Sequence, residues 1–216
     1  MAGPNRINIT GQPYTEPAGP GGVGTGGGVQ TDRGRDANSH YDGGSCKTIC
    51  TVQQGPGPKG HDGHTGHTGD PGAKGRPSST GLVKLGAVSV NTIVEIGGGG
   101  GQKGGKGGTG GAGGPGGQPG STASGCANNA KQGPPGEGGQ GGKGGPGGPG
   151  GDSQFVAIYY TPAVAGVSVT VQANEVPGGE GGDPGDPGAG TGNKGPGSRG
   201  DKGAPSPPAK FALYKQ

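Results

Sequence analysis

Three histidines, His61, His64 and His67, recur at a spacing of three within GHDGHTGHTG. On a helix of three residues per turn they line one edge. Stacked copies of the chain would gather those imidazoles around a transition metal. A solvated edge carries the same pattern without any ligand. Gly100 to Lys106 spells G-x4-G-K behind an apolar segment. A phosphate-binding loop needs Ser or Thr at the next position, and this chain has Gly107, so no nucleotide site is expected. Arg199-Gly200-Asp201 spells an adhesion tripeptide that collagen-like triplets also produce by chance. Asn8-Ile9-Thr10 is a glycosylation sequon that matters only in a secreted chain. Cys46, Cys50 and Cys126 are odd in number, and the Cys46-x3-Cys50 spacing is neither a usual redox motif nor a zinc motif. They read either as reduced thiols or as a bridge from the N-terminal segment to the 121–132 loop. No nucleophile–base pair is recognisable, so neither an enzyme nor a cofactor is expected.

These side chains are sparse because glycine takes 64 of the 216 positions, much of it at a period of three. Glycine loses more backbone entropy on folding than any other residue. A chain this rich in it stays disordered or uses the missing side chains to bring backbones together. Period three matches the extended left-handed helix of polyproline II and polyglycine II. Four runs carry it. In the first, glycine occupies 57, 60, 63, 66, 69, 72 and 75, one per triplet, which is the collagen pattern. In residues 97–120 and 133–151 two positions in three are glycine. A fourth run, 177–205, slips phase near Gly190. One glycine per triplet suits a three-chain axis. Two per triplet leave two bare edges, and the amides must then bond to neighbouring helices. A run of about 20 residues at about 3.1 Å each would be roughly 60 Å long.

Apolar segments punctuate the runs. Residues 82–96 and 154–176 alternate β-branched and polar residues, a strand signature, and 210–216 reads as a short last strand. Pro162 and Gly166 bracket a turn, so 154–176 is expected to be a hairpin. Strand and polyproline II dihedrals are neighbours, so a strand can run straight into a glycine helix at VEIGGGGG and at ANEVPGGEGG. Lys103 and Lys106 in one run, and Glu180, Asp183 and Asp186 in another, would set register if the two helices are neighbours. The expected organisation is an N-terminal arm over 1–54 with a flexible glycine-rich stretch, a collagen-like segment over 55–80, and a strand and polyglycine II domain over 81–216. The expected fold is a polyglycine II bundle with short strands and no α-helix.

The net charge of +3 is small for this length and argues against nucleic acid. The N-terminus MAGPNRINIT lacks the apolar core of a secretory signal, and nothing approaches a membrane span. Synthesis and assembly in a cytosol are expected, with no membrane insertion.

The β-branched strand that feeds a pure glycine run, VSVNTIVEIGGGGGQKGGKGGTGGAGG, resembles the glycine-rich domains of bacteriophage tail-fibre and minor tail proteins. The GPKGHDGHTGHTGDPGAKG segment is similar to the collagen triplets of the same proteins. The resemblance covers roughly residues 55–205. It implies a sandwich of polyglycine II helices, a place in a virion among other structural proteins, and loops at one end that contact a host-surface receptor. The triplets favour a homotrimer. The expected contact loops are 121–132 and 161–166, with Ser121, Asn128, Asn129 and Pro162 as their exposed polar and turn residues. Tyr14 and Tyr41 are expected to dock the arm to the particle. Two other classes fit less well: a secreted collagen-like matrix protein, and an ice-binding bundle like the glycine-rich antifreeze proteins of springtails. Lys, Glu, Asp and Pro at the filler positions disrupt the flat face that the latter needs.

Overall fold

The computed structural model describes residues 3–78, 81–192 and 194–216, so the last residues of the expected 55–80 segment lie outside the described ones. Among the described residues there is no α-helix. The described backbone instead forms six extended glycine-rich helices, here numbered I to VI: 18–37, 55–76, 98–121, 131–151, 177–189 and 195–206. Their amides bond between helices, because a helix of this kind has no internal partner for them. In one layer, Gly21, Gly24 and Gly27 of helix I donate to Lys106, Thr109 and Ala112 of helix III, at 2.7 to 2.8 Å. Gly104, Gly107 and Gly110 of helix III donate in turn to Glu180, Asp183 and Asp186 of helix V, at 2.9 Å. A second layer repeats the pattern from helix II to IV to VI, as in Gly63 to Glu137 at 2.8 Å and Gly144 to Ser198 at 2.9 Å. Helices within a layer are parallel. Helices in opposite layers are antiparallel, as Gly142 to Gly108 and Gly185 to Gly142 show.

The number of glycines per triplet follows the number of neighbours. Helices III and IV are interior, and both bare edges are used. A Cβ on Gly104 would overlap the Gly145 carbonyl oxygen of helix IV, and one on Gly105 the Gly19 carbonyl oxygen of helix I. Helix II lies at the edge and needs one glycine per triplet. A Cβ on Gly63 or Gly66 would overlap a carbonyl of helix III. The glycines that a three-chain axis would have used therefore face helices III and IV of the same chain. The stretch expected as a flexible arm is helix I. Cβ atoms on Gly21 and Gly24 would overlap the His67 and His64 carbonyl oxygens.

Each helix leads into or out of a strand at one end of the bundle. β1 (Asn5–Thr10), β5 (Thr92–Gly97) and β7 (Val169–Ala173) form a parallel sheet in the order β1-β5-β7, and they precede helices I, III and V. β4 (Leu82–Val88), β6 (Val156–Pro162) and β8 (Phe211–Lys215) form the second parallel sheet, β4-β6-β8, and follow helices II, IV and VI. The two glycine layers thus continue as a two-sheet sandwich. β6 and β7 do not form the expected hairpin. β6 follows helix IV and β7 precedes helix V, which are antiparallel and in different layers, so the 163–168 turn crosses between sheets. The core between the sheets holds Ile9, Val88, Val94, Ile96, Val156 and Ile158. Burying each such side chain contributes about 1.5–3 kcal/mol. Buried hydroxyls close the seam between sheets and helices: Ser206 donates to the Gly150 carbonyl at 2.7 Å, and Ser78 accepts from the Gln154 amide at 3.1 Å. At about 3.1 Å per residue, helix III is roughly 70 Å long, so the molecule is a rod.

Candidate functional site

The far end of the rod, opposite the sheets, is built by two connections. Between helices I and II the chain forms a hairpin of β2 (Asn38–Asp42) and β3 (Lys47–Val52). Its turn is held by the Asp42 carboxylate, which accepts from the Ser45 hydroxyl at 2.6 Å and the Gly44 amide at 3.1 Å. The Ser45 bond, then the Gly44 bond, holds that carboxyl below its usual range. Between helices III and IV the 122–130 loop turns at Gly125, whose φ of 76° suits glycine. A disulfide joins Cys50 of β3 to Cys126 of this loop, with Cα atoms 4.9 Å apart. Cys46 stays free and exposed in the hairpin turn.

Gln54 is the buried anchor of this end. With its side-chain amide oriented to satisfy both ends, the nitrogen donates to the Gly120 carbonyl at 3.1 Å and the oxygen accepts from the Asn129 and Ala130 amides at 3.1 and 2.9 Å. The Asp36 carboxylate accepts from the Ser121 amide at 2.6 Å, which lowers its pKa. A cleft of about 520 Å³ opens beside the loop, lined by Gln53, Pro56, Ala127, Asn129 and Lys131 among others. Tyr41 stands 65% exposed on the hairpin, on the same strand-pair face as Cys50. The end therefore presents amides, an exposed phenol and lysines on a covalently tied frame. This chemistry suits binding a polar surface.

The residues expected at contact loops are split between the ends. Ser121, Asn128 and Asn129 come together at this tip. Pro162 ends β6 at the opposite end, a rod's length away. Tyr14 is not free for docking elsewhere: its hydroxyl donates to the Lys74 carbonyl at 2.9 Å, and the Arg76 guanidinium lies 5.2 Å from its ring centre. His61, His64 and His67 are exposed in a row beside helix I, one turn apart, and do not converge. Among the described residues no group of three His, Cys, Asp or Glu side chains is placed to hold a metal ion. Lys103 and Lys106 do meet Asp183 and Asp186, each at 2.7 Å. Sequence reasoning missed the hairpin and Gln54. Tyr41-Asp42-Gly43-Gly44-Ser45 between two polar strands was a usable turn signal, whereas nothing local marks Gln54.

The sheet end differs in character. Leu82, Val90, Phe155, Val164, Phe211 and Tyr214 are large apolar side chains left exposed there. Among the described residues no helix is long and apolar enough to cross a membrane.

No family model matches the sequence, and no curated protein does. Among solved structures, 80% of this chain aligns with 97% of a springtail antifreeze protein from Granisotoma rainieri, described as a nine polyproline type II helical bundle whose crystal waters match the ice lattice. The identity is 22% and the TM-score 0.15. A score that low leaves fold and function to be argued from the chain itself.

Proposed function

We propose that this chain is a structural virion component, a bacteriophage tail or fibre protein whose tip contacts the host surface. One observation carries the reading: a single-chain rod has two unlike ends, an apolar sheet end and a polar, disulfide-tied tip. A rigid spacer with an adhesive base and a hydrophilic point is what a particle needs to hold a contact surface away from its body. Exposed apolar patches mark interaction sites, so the sheet end docks to other virion proteins. The tip, with Tyr41, Asn129 and Lys131 beside the cleft, meets the host. Disulfides persist in oxidising surroundings, and on this reading Cys50–Cys126 closes once the particle has left the host cytoplasm. The test is mass spectrometry and immunogold labelling of purified particles from the source of the sequence. Labelling at tails or fibres supports the reading, and failure to co-purify with any particle overturns it.

A further inference from the structure

β8 is an edge strand of the sheet β4-β6-β8. Val156 donates to the Lys210 carbonyl at 3.0 Å, and Gln216 donates to the Tyr160 carbonyl at 2.9 Å. With Phe211 opposite Val156 and Leu213 opposite Ile158, the even-numbered residues of β8 bond to β6. The backbone groups of Phe211, Leu213 and Lys215 therefore point away from the sheet. Phe211 and Leu213 lie on the core face, yet they are 43% and 37% exposed and stand outside the core cluster. The cause is the stagger of the layers: β8 is the outermost strand of its sheet, and among the described residues β7 is the last strand of the sheet opposite. Two other edges differ. On β1 the groups that face outward belong to Arg6, Asn8 and Thr10, and its core-side Ile9 is buried. On β7, Val169 is buried.

We infer that β8 is a homodimer interface, pairing antiparallel with β8 of a second copy about a two-fold axis at Leu213. Three features of the edge select that occupant. The open backbone groups at 211, 213 and 215 are symmetric about Leu213, so two copies satisfy one another with about six hydrogen bonds. Antiparallel pairing puts Phe211 and Leu213 of both copies on one face, where they fill the step beside each β7. The Lys215 ammonium of each copy then lies across from Phe211 of the other, a cation–π geometry. Finally, an antiparallel pair sends the two rods in opposite directions. Parallel association would instead press the outer edges of helices V and VI together, and helix VI carries Pro196, Arg199 and Lys202 on its outer side, with Arg199 and Lys202 bound to Asp183 and Glu180 of helix V. The glycine packing cannot continue through those side chains. The interface extends an existing ladder, sheet β4-β6-β8, across the axis.

The experiment is sedimentation of the full chain over about 1 to 100 µM, together with two cysteine variants in a Cys46→Ser background. The expected mass rises with concentration towards twice the 20.2 kDa chain. Leu213→Arg, which sets two cations against each other on the axis, should remain at one chain mass throughout. Paired residues on such an axis have Cα atoms about 5.5 Å apart, within disulfide reach. Leu213→Cys should therefore form a covalent dimer on mild oxidation. Tyr214→Cys, one residue along on the opposite face, should form none. A single chain mass at every concentration, a trimer, or equal cross-linking of the two cysteine variants would overturn the interface. The cross-linking comparison also decides the matter if Leu213→Arg fails to fold. All these outcomes are independent of whether the protein is found in a particle.

Discussion

Replacing Gly107 by alanine tests the bundle at its most demanding place. A Cβ there would overlap the Gly142 carbonyl oxygen of helix IV and lie 2.8 Å from the Gly185 nitrogen of helix V. Backbone atoms cannot turn aside as a side chain can, so helix IV must retreat from helix III by roughly 1 Å to restore ordinary contact. That movement stretches the bonds that join the layers locally: Gly142 to Gly108 at 2.7 Å, and Gly139 to Gly111 and Gly145 to Gly105 at 2.8 Å. It also strains Gly185 to Gly142 at 2.9 Å. Stretched by roughly 1 Å, these pass the limit of a useful hydrogen bond. At about 1 kcal/mol for each net bond, four of them cost about 4 kcal/mol. A domain's whole stability is about 5–15 kcal/mol. For a chain of this size the melting temperature should fall by about 10 °C. Gly26→Ala is the matched control in helix I. Its Cβ would meet only the Ala112 carbonyl oxygen at 3.5 Å, an ordinary contact. Alanine there restricts the unfolded chain and should stabilise by about 0.4–1 kcal/mol. Thermal melts of both variants followed by circular dichroism give the answer. Equal melting temperatures for the two would refute the claim that glycine is required by interhelical contact.

Three further outcomes are expected. Reducing Cys50–Cys126, or replacing both residues by alanine, opens a crosslink spanning 76 residues. By chain entropy this costs about 4 kcal/mol, and calorimetry with and without reductant should show a clear downward shift. Gln54→Ala leaves the Asn129 and Ala130 amides and the Gly120 carbonyl unpartnered, at about 1–3 kcal/mol; hydrogen exchange should rise in 120–131 and remain unchanged in the sheets. The Asp183 carboxyl is held below its ordinary value by its bond to Lys103, and Glu180 by its bond to Lys202. Carboxyls with folded values below their unfolded ones contribute stability above the unfolded value and lose it as pH falls through the folded one. The melting temperature should therefore drop as pH is lowered below the ordinary values of 3.8 and 4.5, and the drop should shrink in high salt, which screens exposed pairs. A melting curve insensitive to salt in this range would rule out a part for these pairs.

Much of this architecture was legible, and what was not had a physical reason. The doubled glycines at 104/105 and 107/108 announced helices with two bare edges, and helix III has helix I, II, IV and V around it. The single glycines of 57–75 announced one bare edge. A three-chain axis and an outer position in a one-chain bundle demand the same pattern, so the sequence could not choose between them. Helix I was hidden by excess. Its obligatory glycines, Gly21, Gly24 and Gly27, keep the period, but Gly22, Gly26 and Gly28 blur it into what looks like a flexible linker. The strand at 169–173 was visible from its alternation, which reports that a strand has two faces and not which sheet it joins. Pro162 and Gly166 mark a turn equally well within a hairpin and between layers.

The size of the bundle follows from where side chains return. In helix V the positions turned towards helix VI begin as Gly178 and Gly181 and continue as Pro184 and Pro187. Helix VI places Pro196, Arg199 and Lys202 on its outer side, with Lys202 bound to Glu180 at 2.9 Å. On the opposite flank the imidazoles of His61 and His67 lie against Gly28 and Gly22 of helix I. Side chains thus return on both flanks of the glycine layers. The histidine row that suggested metal chemistry lies along the flank at helix I. The sheets carry no equivalent stop at β8, where the backbone edge and two apolar side chains stay open. A chain that returns side chains to both flanks of its glycine layers, yet leaves β8 with an open backbone edge and two exposed apolar side chains, directs pairing between copies to its sheet end.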